Sequence, residues 1–243
     1  MRFIVKQTEP RTVTATKCAI TTNLVTNKTA RAAFDQIDKQ AAREQLAREQ
    51  GFLCAFCMRR IEPDKQDASG QFVMKIAHRV PIDAQSQRAL DWSNLLGSCD
   101  GGQRLERRYK TCDFRQENTP LTIDPTQDPS VRRLHLERRG TASGLFLSSD
   151  DSNIAADVEG TLGLNEGDLP ELREATWKAF ETAVKKAHPT SHWDRATREK
   201  FFGSWQYQAG DRLRPFLGAV EERLRRPLRT GKLVHLAGVD VLR

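Results

Sequence analysis

The spacing of apolar residues predicts a chain in which helices dominate and strands are short. Residues 3–6 (Phe-Ile-Val-Lys) predict a strand. A helix is expected from about residue 30 to 50, because apolar residues recur there at helical spacing and Gly51 follows as a stop signal. Farther along, residues 131–138 and 145–147 flank Arg-Gly-Thr and predict a β-hairpin.

The second half of the chain carries clear helix signals. Asp168 is a suitable N-cap, Pro170 stands in the first turn, and Glu171 lies three residues after the cap, so a helix is predicted to about residue 187. Further helices are predicted near residues 194–206 and 211–226. These elements together predict an α+β fold with a mainly helical C-terminal half.

Composition and charge narrow the class of protein. The 243 residues have a mean hydropathy of −0.62 and 39 basic against 32 acidic side chains. The longest apolar run, residues 52–58, is far short of the ~20 residues that span a bilayer. We expect no membrane span, no signal peptide and a cytoplasmic location. Basic residues are in excess in both terminal regions of the sequence, and residues 150–181 between them are acidic. The basic regions could bind a polyanion, or they could be ordinary solvated surface.

Five cysteines suggest a metal site. Cys54 and Cys57 form a C-x2-C pair, and Cys99 and Cys112 follow after 41 residues as C-x12-C. In a reducing compartment such clustered thiols more often bind metal than form disulfides, so a structural four-cysteine Zn²⁺ site is predicted over unrelated buried thiols. Cys18, in a threonine-rich stretch, is expected to be buried or half-buried without a metal role.

Two further motifs lie between the cysteine pairs. His78 stands in Ile-Ala-His-Arg-Val-Pro, and Asn94 in Trp-Ser-Asn-Leu-Leu-Gly-Ser, which leads directly to Cys99. This order resembles the zinc-stabilised HNH (ββα-metal) endonucleases. The resemblance implies a ββα-metal core in which the histidine ends one strand, the asparagine lies on the returning segment, and a helix packs across them.

The resemblance also implies roles for three residues. His78 would be the general base of phosphodiester hydrolysis, a role that suits neutral imidazole with its pKa of ~6.5. Asn94 would be either a metal ligand or an organiser of the active-site loop. Asp113, directly after the last cysteine, would ligate a catalytic Mg²⁺ or Mn²⁺.

One position departs from the family pattern. Many HNH enzymes carry an acidic metal ligand immediately before the catalytic histidine, whereas this chain has Ala77. Asp83 or Asp91 could supply the missing carboxylate, or the metal could be held with fewer protein ligands and more water. The alternatives are a zinc-stabilised nucleic-acid-binding or scaffolding subunit that has lost cleavage, and a structural zinc adaptor.

The resemblance extends over most of the chain. Lys-Thr-Cys-Asp, a later Ile-Asp-Pro and Leu-Gly-Leu-Asn-Glu-Gly-Asp-Leu at residues 162–169 are similar to the HNH proteins of Septu-type and retron-associated anti-phage systems. That similarity implies a defence effector acting on nucleic acid, DNA in preference to RNA, in a hetero-oligomer with an ABC- or SMC-like ATPase. The chain itself has no P-loop motif for nucleotide binding.

The predicted organisation has three parts. Residues 1–51 would form an N-terminal strand and helix on the core, residues 52–126 the zinc-bound nuclease core, and residues 127–243 a hairpin and helical region for partner docking. Nucleic-acid contacts are expected from basic residues close to the motif in sequence, although these could also be ordinary solvated loop residues. They are Arg79, Arg104, Arg107, Arg108 and Lys110.

Overall fold

A computed structural model describes residues 1–21, 23–103, 105–187, 194–226 and 229–230. Its α-helices are α1 (Arg11–Ala19), α2 (Asn27–Gln36), α3 (Lys39–Glu49), α4 (Cys112–Gln116), α5 (Asp128–Val131), α6 (Ser152–Ala156), α7 (Leu169–Ala187), α8 (Arg195–Trp205) and α9 (Gly218–Arg225). Its strands are β1 (Lys75–His78), β2 (Leu95–Ser98), β3 (Leu134–Arg138), β4 (Phe146–Ser149), β5 (Tyr207–Ala209), β6 (Arg212–Leu213) and β7 (Arg229–Thr230). Across these ranges, no helix has both the length and the apolar character that crossing a bilayer requires.

The N-terminal region differs from its predicted form in two ways. The strand predicted at residues 3–6 is wrong, because this segment pairs with none of the described strands and is held by a bond from Ile4 N–H to the Pro125 carbonyl at 2.8 Å. The single helix predicted near residues 30–50 is two helices. Ile37 is extended between them, and Asp38 starts α3 by accepting a hydrogen bond from Ala41 N–H at 3.0 Å.

Strands β1 and β2 form a two-stranded antiparallel sheet in which His78 pairs with Leu95. The connection between them, residues 79–94, is long and contains short 3₁₀ turns. Gln50, at the end of α3, is buried and forms two hydrogen bonds with Gly97 of β2. Its side-chain oxygen accepts from Gly97 N–H at 2.7 Å, and its side-chain amide donates to the Gly97 carbonyl at 2.8 Å. Helix α3 is thereby fastened to the strand that leads to Cys99.

The C-terminal half follows most of its predicted pattern. The hairpin is confirmed as β3 and β4, and β7 joins the other edge of β3 in parallel. The helices predicted from Asp168 and near residues 194–206 are confirmed as α7 and α8. The helix predicted over residues 211–226 is confirmed only in part, since β6 occupies its beginning and α9 starts at Gly218.

The main apolar cluster includes side chains from all three predicted parts of the chain. Leu46 on α3, Leu96 on β2 and Leu136 on β3 are all buried members of it. A separate aromatic cluster centres on Phe180 of α7, against which Trp205 of α8 packs edge-on at 5.1 Å. The division into three domains stays a prediction.

Helix α4 is held by the C-terminal half. The Cys112 N–H donates to the Leu162 carbonyl at 2.8 Å. Arg115 donates from Nε to the Gly160 carbonyl at 2.8 Å and pairs with Glu166 at 3.1 Å. The start of α4, where Cys112 and Asp113 lie, is therefore positioned by contacts far away in sequence.

Gly101, in the loop after Cys99, offers a test of this local structure. Its φ is +55°, and an added Cβ would lie 2.2 Å from the Thr111 carbonyl oxygen, whereas a Cβ at Gly70 (φ +78°) would meet nothing within 4 Å. We expect Gly70→Ala to lower the free energy of unfolding by about 1 kcal/mol, the cost of a left-handed residue with a side chain. Gly101→Ala should cost more than about 2 kcal/mol, because backbone must also move. Equal losses in chemical denaturation would contradict the close approach at Gly101.

Candidate metal centre and adjoining cleft

Four cysteine side chains converge on one point in the interior. All four Sγ atoms lie within 4.8 Å of one another, and all four residues are buried. The shortest separations are 3.7 Å for Cys57–Cys99 and Cys99–Cys112, and 3.8 Å for Cys54–Cys112. A tetrahedron with Zn–S bonds of ~2.3 Å places its sulfurs about 3.8 Å apart. The cluster therefore has the donor type and the dimensions to hold zinc.

Local backbone geometry positions the first pair of thiols. The turn after α3 closes through a bond from Met58 N–H to the Cys54 carbonyl at 3.1 Å, and Met58 takes a positive φ of 68°. The Arg59 N–H then points at Cys57 Sγ from 3.5 Å. Such N–H···S contacts favour a thiolate, the form that binds metal.

The neighbouring thiols also act on one another. Burial disfavours the Cys54 thiolate, but hydrogen bonds from the thiols of Cys112, Cys57 and Cys99 outweigh it, and the pKa of Cys54 falls well below its usual range. Burial holds the pKa of Cys112 well above its usual range, so without a metal the cluster favours a single thiolate and the other thiols would lose their protons on coordination.

The fifth cysteine is separate from this cluster. Cys18 lies on α1 and is exposed, so the expectation that it is buried or half-buried is wrong. The reason is that α1 turns only one side chain, Val13, into the core. Sequence composition around Cys18 does not reveal which face of the helix the thiol takes.

His78 and Asp113 line the same open cleft of about 470 Å³. His78 ends β1, and Asp113 follows Cys112 in the first turn of α4. Residue 112 belongs to the cysteine cluster, so the geometry of the cluster also fixes where the Asp113 carboxyl enters the cleft.

The imidazole of His78 is held in a defined state. Its Nε2 lies 3.0 Å from the Ala89 carbonyl oxygen, which can only accept, so Nε2 carries the proton and Nδ1 keeps its lone pair. The ring also packs edge-on against Phe34 at 4.5 Å. Burial lowers the pKa of His78 below 6.5, the charges of Lys39 and Arg31 lower it further, and the Ala89 bond opposes them. The ring is therefore neutral at pH 7.

The carboxyl of Asp113 has no direct polar partner. Among the described residues, no hydrogen bond or ion pair reaches it. Burial raises the pKa of Asp113 to about 7, with a contribution from the Cys54 charge, while Lys75 acts in the opposite direction. A half-buried, unpaired oxygen donor on the wall of a cleft fits a bound divalent cation.

Asn94 lies behind the cleft rather than in it. Its side chain is buried, with the Oδ1 atom accepting from Val80 N–H at 2.9 Å. Its Nδ2 donates to the carbonyls of Val80 and Arg88 at 3.0 and 3.2 Å. Of the two roles that the resemblance implies, these contacts favour organising the loop that presents the Ala89 carbonyl to His78.

The two carboxylates that the sequence offered in place of an acidic residue at position 77 do not line the cleft. Ala77 itself is buried at 1 % exposure. Asp83 pairs with Arg31 at 2.8 Å, and Asp91 caps the 3₁₀ turn through Ser93 N–H at 3.1 Å. Both carboxylates that the sequence offered as substitutes are thus already engaged.

Two acidic residues that line the cleft, Asp35 and Glu117, were missed. The spacing of four residues between Asp113 and Glu117 is a signal that could have indicated a shared helix side. Asp35 has no comparable signal, because α2 reaches the cleft only through tertiary packing.

The basic residues expected to contact nucleic acid lie in different environments. Arg79 is half-buried and pairs with Asp124 at 3.1 Å. Arg108 is exposed and pairs with Glu106 at 3.0 Å, and Lys110 is half-buried. Arg104 and the side chain of Arg107 lie outside the described residues. Contact of these residues with phosphate stays a prediction, and Arg79 would first have to release Asp124.

No protein-family model matches the chain, and no curated protein matches it either. The resemblance to HNH endonucleases therefore rests on the motif residues of the sequence.

The cysteine cluster leads to a direct prediction. The purified protein should contain about one zinc per chain, and Cys54→Ser should lose the metal and the cooperative melting of the fold, because three buried thiolates remain without a cation. Cys18→Ser, which changes an exposed thiol, should keep both. Elemental analysis and thermal unfolding of the two variants would check this. Cooperative folding of a zinc-free wild type would contradict the assignment.

Proposed function

We propose that this protein is a metal-dependent endonuclease of the HNH type that hydrolyses phosphodiester bonds of nucleic acid. The observation that carries the proposal is the shared cleft, in which a neutral imidazole with a free Nδ1 and an unpaired carboxyl face the same space. Asp113 directly follows a cluster cysteine, and β1, which ends at His78, pairs with the strand that leads to Cys99.

The arrangement of elements supports the same class. His78 ends β1, β2 returns antiparallel to it, and α4, whose first turn carries Asp113, reaches the end of β1 through Gln116, whose amide donates to the His78 carbonyl at 3.3 Å. This strand–strand–helix order, with a cysteine at the end of β2 and another at the start of α4, is the one that the sequence resemblance implies for a ββα-metal core.

His78 would act as the general base. With Nε2–H donated to the Ala89 carbonyl, Nδ1 is the atom that accepts a proton from water as the water oxygen bonds to phosphorus. The bond from phosphorus to the leaving oxygen of the nucleic acid breaks in the same displacement. Asn94 maintains the position of the loop on which Ala89 lies, so it keeps the imidazole in one tautomer and orientation.

Asp113 would hold the catalytic cation, Mg²⁺ or Mn²⁺. A divalent ion there would supply positive charge close to the scissile phosphate. Asp35 and Glu117 line the same cleft, but Asp35 pairs with Lys39 at 3.0 Å and would have to release it before it could bind a cation.

The biological setting rests on the sequence resemblance. We propose DNA rather than RNA as the substrate, a role in anti-phage defence, and an ABC- or SMC-like ATPase as the partner. Helix α4 depends on contacts with residues 160–166, so a chain truncated near residue 126 would lose support for the cleft itself. The appropriate test is co-purification of the full chain with the product of the neighbouring open reading frame; a monomeric chain under those conditions would contradict the partnership.

A second candidate function is a zinc-stabilised nucleic-acid-binding or scaffolding subunit without cleavage. The observation that favours it is Ala77, which supplies no carboxylate at the position before His78. Metal-dependent nicking of plasmid DNA distinguishes the two candidates, because only the nuclease shows it.

Removal of the general base should abolish most activity without affecting the fold. We expect His78→Ala to slow cleavage of plasmid DNA by about 10²- to 10⁴-fold, the usual contribution of a positioned base. Asp113→Asn keeps the shape of the side chain but removes its charge, and its activity should fall comparably if Asp113 is a metal ligand. Zinc content and melting temperature serve as the control, and both should match the wild type in His78→Ala.

Metal dependence provides the complementary check. Brief EDTA treatment should stop cleavage while the four-thiolate zinc stays bound, and added Mg²⁺ or Mn²⁺ should restore it. Full activity in His78→Ala, or cleavage without an added divalent ion, would contradict the proposed chemistry.

The rate should also depend on pH in a defined direction. A general base works when deprotonated, so the rate rises as pH passes the pKa of His78, which burial and the cations Lys39 and Arg31 lower below 6.5. Single-turnover rates at saturating metal, where the bound cation keeps Asp113 ionised, should therefore have their acid midpoint below about pH 6.5. A midpoint above about pH 7 would be inconsistent with a buried neutral imidazole.

A further inference from the structure

The catalytic cleft continues into a second groove of about 460 Å³. The two share Phe34, Ile76, Asp113 and Phe114 as lining residues. We call this second space the basic groove; its other lining residues are Lys39, Arg43, Gln71, Phe72, Met74 and Lys75. One continuous surface thus runs from the basic groove to the cleft of His78.

Two cations in the basic groove are not held in direct ion pairs, although the charge of Asp38 acts on Arg43 and that of Lys75 on Asp113 from farther away. Among the described residues, no carboxylate lies within ion-pair distance of Arg43 or Lys75. The Arg43 guanidinium stacks on the Phe72 ring at 3.6 Å, bonds Gln40 at 2.9 Å, and has a buried Nε without a hydrogen-bond partner. Lys39, by contrast, pairs with Asp35 at 3.0 Å. Arg43 and Lys75 therefore complement an anionic ligand.

One aromatic ring in the groove is available for stacking. Phe34 and Phe72 each have a cation over the ring, Lys39 at 3.7 Å and Arg43 at 3.6 Å. Phe114 is half-buried, lines both spaces, and has no ring or cation partner among the described residues. Its ring can receive a flat apolar surface that arrives along the groove.

Cations next to an aromatic ring without a partner match the chemistry of nucleic acid, which carries both phosphates and flat bases. Nucleic-acid phosphates bind Lys and Arg, and an unpaired base stacks on an aromatic side chain. In a duplex the faces of each base are covered by its neighbours, so Phe114 can stack only on a base of a single strand.

We propose that the basic groove binds single-stranded nucleic acid, with backbone phosphates on Arg43 and Lys75 and an unpaired base on Phe114, and directs the strand to His78. The proposal deepens the proposed function and rests on it for the chemistry at His78. It assigns phosphate contacts to α3 and β1 rather than to the insert between Cys99 and Cys112.

Binding can be measured separately from cleavage. The zinc-loaded full chain, without added Mg²⁺ or Mn²⁺, is titrated into a fluorescently labelled DNA strand and into its duplex, with anisotropy as the readout. The single strand should bind at least about fivefold more tightly, the lower end of what one stacked base contributes. An RNA strand of the same sequence identifies which sugar is preferred, and tight binding of either single strand supports the proposal.

Charge variants test the phosphate contacts. Arg43→Gln and Lys75→Gln should each weaken binding severalfold and each reduce the slope of log affinity against log salt by about 0.7, the value for one phosphate contact on a single strand. Lys75→Arg should retain binding. Lys200→Gln removes the same charge from an exposed position on α8 and should bind as the wild type does.

The ring contact has its own variant. Phe114→Leu keeps an apolar side chain but removes the ring, so it should lose the preference for the single strand. Zinc content and melting temperature show whether this variant keeps its fold. Equal affinity of the wild type for strand and duplex, or wild-type binding and salt slopes in both charge variants, would overturn the proposal.

Cleavage of the same oligonucleotides with Mg²⁺ or Mn²⁺ separates the two proposals. If the groove variants lose binding but the wild type cleaves nothing, the groove assignment stands and the nuclease proposal fails. If the wild type cleaves and the groove variants bind and cleave equally well, the nuclease stands and the groove assignment fails.

Discussion

The convergence of four buried sulfurs is the constraint on which the candidate site depends. They come from three places: the turn after α3, the end of β2 and the first residue of α4. No local preference brings these segments together, because they are separated by long loops. A single ion bound by all of them would fix β2, and through its pairing β1, while also fixing the direction in which α4 begins. The two groups assigned to chemistry lie at the ends of these same elements.

Further contacts link the cysteine cluster and its cleft to the C-terminal half, so this region is not an independent module. Asp157, on the segment after α6, accepts the N–H groups of Thr122 and Ile123 at 2.7 and 2.8 Å. Arg173 of α7 is buried and donates to the Leu145 carbonyl at 3.2 Å. Burial lowers the pKa of Arg173 to about 10, and the charges of cluster thiols oppose that shift. Through Asp157 the C-terminal half thus binds the end of the metal core, whereas the Arg173 bond lies within the C-terminal half itself.

Sequence reasoning succeeded where the signal is local or chemically distinctive. The cap at Asp168 predicted the start of α7, and the C-x2-C pair with two later cysteines predicted the cluster. It failed where contacts between residues distant in sequence determine the local conformation. Residues 3–6 have the composition of a strand but find only the Pro125 carbonyl as a partner at Ile4, and the extended residue Ile37 interrupts an otherwise continuous helical pattern. The basic groove was missed for the same reason, since α3 and β1 are distant in sequence.

The hydrogen bonds between Gln50 and Gly97 also affect whether β2 can pair with a strand of another molecule of this protein. A two-stranded sheet leaves each strand with an outer edge, and such edges invite a strand from another molecule. On β2 this edge is occupied at Gly97 by the Gln50 amide and by the Ala55 N–H, which donates to the same carbonyl at 2.9 Å. The Leu95 carbonyl is likewise taken by the Lys6 ammonium at 2.9 Å. The side chains of Gln50 and Lys6 and the backbone N–H of Ala55 therefore occupy the outer edge of β2 at these positions, where a strand from another molecule could otherwise pair.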